Sequence, residues 1–98
     1  MSHPNELLIP PKANADQNGV ELLRAWGAAG GLQVSLAAEV WDDAGNWGVA
    51  LADVIRHLGN AYKETQGIDE RETVSRIMKT LVAELRGPTD KPTGSVLK

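Results

Sequence analysis

The stretch that decides the fold reads Trp47-Gly48-Val49-Ala50-Leu51-Ala52-Asp53-Val54-Ile55-Arg56-His57. Apolar residues recur within and beyond it at spacings of three and four, which is typical of an amphipathic helix with one apolar stripe. We expect the helix to begin near Asp42 or Asp43, because either carboxylate can accept hydrogen bonds from the first free backbone N–H groups. It should run to about Gln66 and stop at Gly67. The predicted stripe consists of Trp47, Leu51, Val54, Ile55, Leu58 and Tyr62.

Glycines interrupt this predicted helix at Gly45, Gly48 and Gly59. Each costs up to ~1 kcal/mol relative to alanine in a helix interior. Our hypothesis is that Gly48 and Gly59 let another backbone approach closely.

A second helix follows after a short link, Gly67-Ile68. Asp69 and Glu72 resemble a capping box at its start, and Gly87-Pro88 supplies a stop. A link this short predicts antiparallel neighbours or a steep crossing. Its apolar residues are Val74, Ile77, Met78, Leu81, Val82 and Leu85.

Residues 20–40 predict a β-hairpin. Leu32-Gln33-Val34-Ser35-Leu36 alternates apolar and polar residues with the period of a half-buried strand, and Ala29-Gly30-Gly31 supplies a tight loop. In the first strand, Leu22, Arg24 and Trp26 would share one face. A competing interpretation makes Asp16 to Gly27 a helix, but the double glycine and the alternating strand favour the hairpin.

The fold class is therefore α+β, with an N-terminal hairpin packed on two C-terminal antiparallel helices. The predicted organisation is an extended arm over 1–19, a single domain over 20–87 and an extended or disordered tail over 88–98. Within the arm, Leu7-Leu8-Ile9 lies between prolines. It is either a third, edge strand or simply part of the arm, and the sequence leaves both open.

Composition narrows the classes of function. The 98 residues carry a formal net charge of −3 and contain no cysteine, which excludes disulfides and Cys-ligated zinc. The sequence shows neither a secretory signal nor an apolar stretch long enough for a bilayer, so we expect a cytoplasmic protein without membrane contact. Basic and acidic residues are interleaved, which argues against nucleic-acid binding through Arg71, Arg76 and Lys79.

Asp53 and His57 are the residues most suited to chemistry. They are four apart and therefore on one side of the helix, with Asn60 and Tyr62 as further candidate ligand or interface residues. A carboxylate-oriented histidine acts as a general base or as half of a metal site. The plainer interpretation is a surface pair worth about 0.2–0.5 kcal/mol. Without a poised nucleophile or a third ligand, we assign no catalytic residue, no metal site and no cofactor.

Three tryptophans stand out in a chain with no Phe and one Tyr. Trp26, Trp41 and Trp47 belong to a core or to an interface, since aromatic residues dominate both. A lone two-stranded hairpin is marginal in water and leaves an edge unpaired. We therefore expect a homodimer, and an unidentified protein partner is a further expectation.

Several short motifs together resemble a small bacterial family, mostly alphaproteobacterial, catalogued as domain of unknown function 5076. Where that pattern places a proline at the helix start, this chain has Ala44. The resemblance implies a compact α+β domain and brings no activity, cofactor or catalytic residue. It covers most of the chain and rests on Ile9-Pro10-Pro11, Gly30-Gly31-Leu32, Trp41-Asp42-Asp43, Trp47-Gly48, Leu51-Ala52-Asp53 with His57, Ala61-Tyr62 and Pro88-Thr89-Asp90.

These observations favour a homodimeric protein-interaction module without catalytic activity. The alternative is a protein, enzyme or not, that binds a small molecule or a metal through Asp53 and His57. Weak nucleic-acid binding is the third hypothesis.

Overall fold

The structure is a computed structural model that describes residues 3–87. Its elements in chain order are α1 (Pro11–Ala15), β1 (Leu23–Ala28), β2 (Gly31–Leu36), α2 (Gly45–Gln66) and α3 (Glu70–Arg86). A hairpin followed by two long helices confirms the predicted α+β class. The described residues fall into two compact units, 3–38 and 39–87, which are described separately below. The predicted tail over 88–98 lies outside the described residues.

The hairpin pairs β1 with β2 in antiparallel register, with Arg24 opposite Ser35 and Trp26 opposite Gln33. The turn is one residue shorter than predicted. Ala29 and Gly30 both have positive φ, 52° and 78°, as a two-residue type I′ turn requires, while Gly31 pairs with Ala28. The alternation is as expected. Arg24, Trp26, Gln33 and Ser35 share one face of the hairpin, and the register puts the apolar residues on the other face; they are Leu23, Ala25, Leu32, Val34 and Leu36.

The N-terminal arm contains one element that the sequence did not predict, the single-turn helix α1. Pro11 is its first residue, a position where proline is tolerated because its missing N–H would have no helical partner. Within residues 3–87 the sheet has two strands, so the possible third strand at Leu7-Leu8-Ile9 is a wrong alternative. Leu7 and Leu8 are 89% and 94% exposed. The competing helix over Asp16 to Gly27 is also wrong, since β1 occupies much of that range.

Helix α2 begins and ends close to the predicted residues. The Asp43 Oδ1 accepts a hydrogen bond from the backbone N–H of Gly45 at 2.8 Å, which is the role expected of an aspartate at this start. At the other end Gly67 adopts φ 72° and its N–H donates to the Lys63 carbonyl. A left-handed glycine of this kind is the common C-terminal stop.

Helix α3 begins one residue after Asp69, but the predicted capping box is wrong. No side chain caps its N-terminus; the Asp69 carbonyl instead accepts a hydrogen bond from the Thr73 N–H at 3.2 Å. The acidic residues Glu70 and Glu72 lie in the first turn, where they are favourable beside the positive end of the helix dipole.

Helices α2 and α3 pack against each other, and they approach closely at Gly59. A Cβ built on Gly59 would lie 3.2 Å from Val74 Cγ2 and 3.4 Å from the Glu70 carbonyl oxygen. The hypothesis of a close approach is therefore correct for Gly59. For Gly48 it is wrong, because a Cβ there meets nothing within 4 Å.

Burial in this helical unit is shallow. Gly59 and Thr73 are its buried residues, and among residues 3–87 no hydrophobic side chain is fully buried. The large apolar side chains of both helices therefore stay partly in water, and the question for function is what covers them.

Candidate functional site

Asp53 and His57 form a pair on the open surface of α2. The His57 Nε2 lies 3.3 Å from the Asp53 Oδ2, and the two side chains are 77% and 68% exposed. Geometry therefore places the pair as a surface i,i+4 contact.

The remaining candidates on this helix have different surroundings. Asn60 is exposed. Tyr62 instead lines a groove between α2 and α3, which has a volume of about 620 Å³ and is bordered by Leu58, Tyr62, Ile68, Glu72, Thr73, Arg76 and Ile77. The sequence prediction missed the α3 side of this groove; the spacing of four between Glu72 and Arg76 was the signal that would have revealed it.

The apolar residues of α2 separate into two sides. Ala52, Ile55 and Gly59 are half-buried or buried and include the point of contact with α3. The other side is a line at spacings of three and four that we call the α2 stripe, and four of its side chains are between 41% and 49% exposed. The α2 stripe consists of Trp47, Leu51, Val54, Leu58 and Tyr62.

Trp41 and Trp47 pack against each other at the start of α2. Their ring centroids are 5.2 Å apart and the planes meet at 79°, an edge-to-face arrangement that is favourable for aromatic pairs. Both are half-buried. Trp47 thus closes the N-terminal end of the α2 stripe.

Trp26 lies in the hairpin unit, where the arm folds over its face of the sheet. The His3 ring meets the Trp26 ring edge-on at 4.8 Å. Next to it, Arg24 binds Glu6 of the arm at 2.7 Å and Glu21 at 3.0 Å. The carboxylates of Glu21 and of Glu6 raise the pKa of Arg24 above its ordinary value. One ion pair, between Arg24 and Glu6, and one ring contact, between His3 and Trp26, therefore join the arm to β1, a role that sequence spacing did not reveal.

The described residues offer neither a metal cluster nor a membrane-spanning helix. Residues 3–87 contain no group of three or more His, Asp or Glu side chains placed to hold a metal ion. Among those residues, none of the three helices combines the length and the apolar character needed to cross a membrane.

Comparison with known proteins gives a family and a structural relative. The family model described as "Domain of unknown function (DUF5076)" matches residues 6–89. One solved structure shares 31% sequence identity over the whole of both chains, with a TM-score of 0.74; it is described as that of "a putative pyruvate dehydrogenase from the photosynthetic bacterium Rhodopseudomonas palustrus CGA009". No protein with a curated description matches this chain.

Proposed function

The chain belongs to the DUF5076 family, whose function is unknown, and we propose that it is a homodimeric protein-interaction module without catalytic activity. The α2 stripe is the surface through which two copies assemble. The observation that carries the proposal is the run of half-exposed apolar side chains along one side of α2. Packing of α2 against α3 leaves this side uncovered, and within residues 3–87 no hydrophobic side chain is fully buried.

The energetics favour covering this stripe. Full burial of an aliphatic side chain contributes about 1.5–3 kcal/mol, so covering the exposed half contributes about 1 kcal/mol for each one. In proteins most helix stability comes from packing of the apolar face, and small domains commonly gain it by oligomerisation. A second copy presents the same stripe, so a two-fold contact covers both at once.

The dimensions of the stripe also suit a helix partner. From Trp47 to Tyr62 it extends about 22 Å along α2 at 1.5 Å per residue. Spacings of three and four are those by which paired helices interlock their side chains. Asp53 and His57 are mostly exposed, which supports a role at the surface of the dimer. The enzyme name printed for the Rhodopseudomonas protein concerns that protein, and our proposal rests on α2.

The test is the oligomeric state of two matched variants. We expect the wild-type chain to be a dimer by light scattering and sedimentation at micromolar concentrations, and Leu58→Glu to dissociate it. Val49→Glu is the control: Val49 is an apolar residue of α2 that is 71% exposed and points away from the stripe, because residues two apart do not share a helix face. A monomeric wild type, or a Leu58→Glu variant that still dimerises, contradicts the proposal. Circular dichroism verifies that both variants keep their helices.

A second candidate function is supported by the groove between α2 and α3. Its volume of about 620 Å³ is within the range of small-molecule sites, and Leu58 and Tyr62 give it an apolar wall. The fluorescence of an apolar dye distinguishes the two functions. If a second copy covers the groove, dye fluorescence per chain falls as protein concentration rises. If the groove binds a small molecule in each separate chain, dye fluorescence per chain stays constant as protein concentration rises.

A further inference from the structure

The groove between α2 and α3 has two chemically different walls. Leu58 and Tyr62 form the α2 wall, and Glu72 and Arg76 form the α3 wall. Both pairs have a spacing of four, so each occupies one turn of its helix. An apolar pair on one helix therefore runs alongside a pair of opposite charges on the other.

The two charges have no partner within the part of the chain that the structure describes. Glu72 and Arg76 are both exposed, and they form no ion pair with any residue between 3 and 87. A glutamate and an arginine one turn apart present a negative and a positive charge in line along α3.

The contact at Gly59 brings the centres of both pairs to one level. Leu58 and Tyr62 flank the region just after Gly59, and Glu72 and Arg76 flank Val74. The Gly59 backbone approaches the Val74 side chain closely, since a Cβ on Gly59 would lie 3.2 Å from Val74 Cγ2. A single axis that runs along the outer surface of the groove at this level, across both helices, passes beside the middle of both pairs.

On this basis we propose that a second copy of this chain docks on the groove about a two-fold axis at the level of Gly59 and Val74. This proposal rests on the homodimer proposed above and limits the contact between the two α2 helices to the C-terminal part of the α2 stripe, from Val54 to Tyr62, because α2 ends at Gln66. The axis places each helix antiparallel to its own copy, so Leu58 meets Tyr62 of the second copy. Glu72 then meets Arg76 of the second copy, and Arg76 meets its Glu72. A two-fold contact generates each such pair twice.

Charge pairs beside an apolar seam determine the choice of partner and orientation between helices. The surface is self-complementary only in the antiparallel arrangement, because a parallel copy would set Glu72 against Glu72. The opposite side of α3 does not combine a charge pair with the groove. Met78 and Val82 on that side are apolar and 45% and 37% exposed, but neither lines the groove.

The test is a charge exchange in the full chain. Glu72→Arg gives each copy two positive charges along the contact, and Arg76→Glu gives each copy two negative charges. We expect each single variant to dimerise about tenfold more weakly in low salt, because two attractive pairs become repulsive. The double variant Glu72→Arg with Arg76→Glu restores opposite charges and returns the dissociation constant to within about threefold of wild type. An equimolar mixture of the two single variants forms a heterodimer.

The outcomes separate this proposal from the homodimer itself. If Leu58→Glu dissociates the dimer but the exchanged charges have no effect, or the double variant is as weak as the single ones, the two-fold geometry is overturned and the homodimer stands. If the wild type is a monomer, both proposals are overturned. Arg71→Glu, a charge reversal at an exposed residue of α3 that does not line the groove, is the control and leaves the dissociation constant unchanged. Circular dichroism of every variant checks that loss of the dimer is not loss of the fold.

Discussion

At the scale of single residues, Gly59 and Gly48 show how contact decides the effect of one methyl group. Alanine at an open helix position stabilises by about 0.5–1 kcal/mol relative to glycine. We expect Gly48→Ala to gain that amount, because its Cβ meets nothing within 4 Å in the structure, and Gly59→Ala to gain little, because its Cβ meets Val74 Cγ2 at 3.2 Å. Gly59→Leu should cost about 1–3 kcal/mol through overpacking, while Gly48→Leu is tolerated.

Urea unfolding of the four variants at one protein concentration measures these differences. Equal effects at the two positions would contradict the close approach of α2 and α3. The sequence predicted both glycines as points of contact and could not separate them, because helix–helix contact depends on how far each helix is rotated about its axis. Glycine has no side chain from which that rotation can be read.

Asp53 and His57 lead to a second prediction at this scale. Both side chains are more than two-thirds exposed, so the free energy of their contact is small after solvent screening. We expect His57→Ala to change the free energy of unfolding by less than about 0.5 kcal/mol. Ile55→Ala is the matched comparison two positions away: Ile55 is half-buried, and its loss should cost about 1–2 kcal/mol. A His57 variant that costs more than the Ile55 variant in urea unfolding would place the pair at a buried contact.

At the scale of elements, the hairpin turn carries a strained residue. Ala29 has φ 52°, a left-handed conformation that costs an L-residue about 1–2 kcal/mol and that asparagine tolerates better. We expect Ala29→Asn to stabilise the protein by about 0.5–1 kcal/mol, and Gly30→Ala to destabilise it by about 1 kcal/mol because Gly30 has φ 78°. Thermal unfolding measures both. Ala28→Asn in β1 is the control, and an equal gain there would show that the turn is not the source.

The same turn shows why element boundaries were harder to predict than elements. The sequence predicted a three-residue loop, Ala29-Gly30-Gly31, to supply the positive φ angles of a tight turn. The structure instead closes on Ala29 and Gly30, which lets Gly31 join the strand pairing. The helix starts differ in a similar way: the Asp43 carboxylate accepts a hydrogen bond from the Gly45 N–H although Ala44 is the N-cap residue of α2, whereas the Asp69 side chain makes no such bond at the start of α3. Residue type identifies a candidate cap, and the backbone angles decide whether the side chain reaches.

At the scale of the whole molecule, the apolar periods predicted both long helices nearly to the residue. They did not reveal what the apolar side chains contact. Trp47, Leu51 and Leu58 share one period with Ile55, yet Leu51 and Leu58 remain 44% and 41% exposed, while Ile55 lies on the side of the α3 contact. A single stripe in the sequence is thus two adjoining surfaces in the structure, one for α3 and one that our proposal gives to a second copy.

If that second surface holds two copies together, the stability of the protein depends on its concentration. Unfolding of a dimer releases two chains, so by mass action each tenfold rise in concentration stabilises the dimer by about 1.4 kcal/mol. From 1 to 100 μM chain, we expect the melting temperature to rise by about 5–10 °C. Val49→Glu should keep that dependence, because Val49 lies off the α2 stripe. Leu58→Glu should melt lower and at one temperature throughout, because its unfolding no longer includes dissociation. A wild-type melting temperature that is flat over this range would mean that the α2 stripe does not hold two copies together at these concentrations.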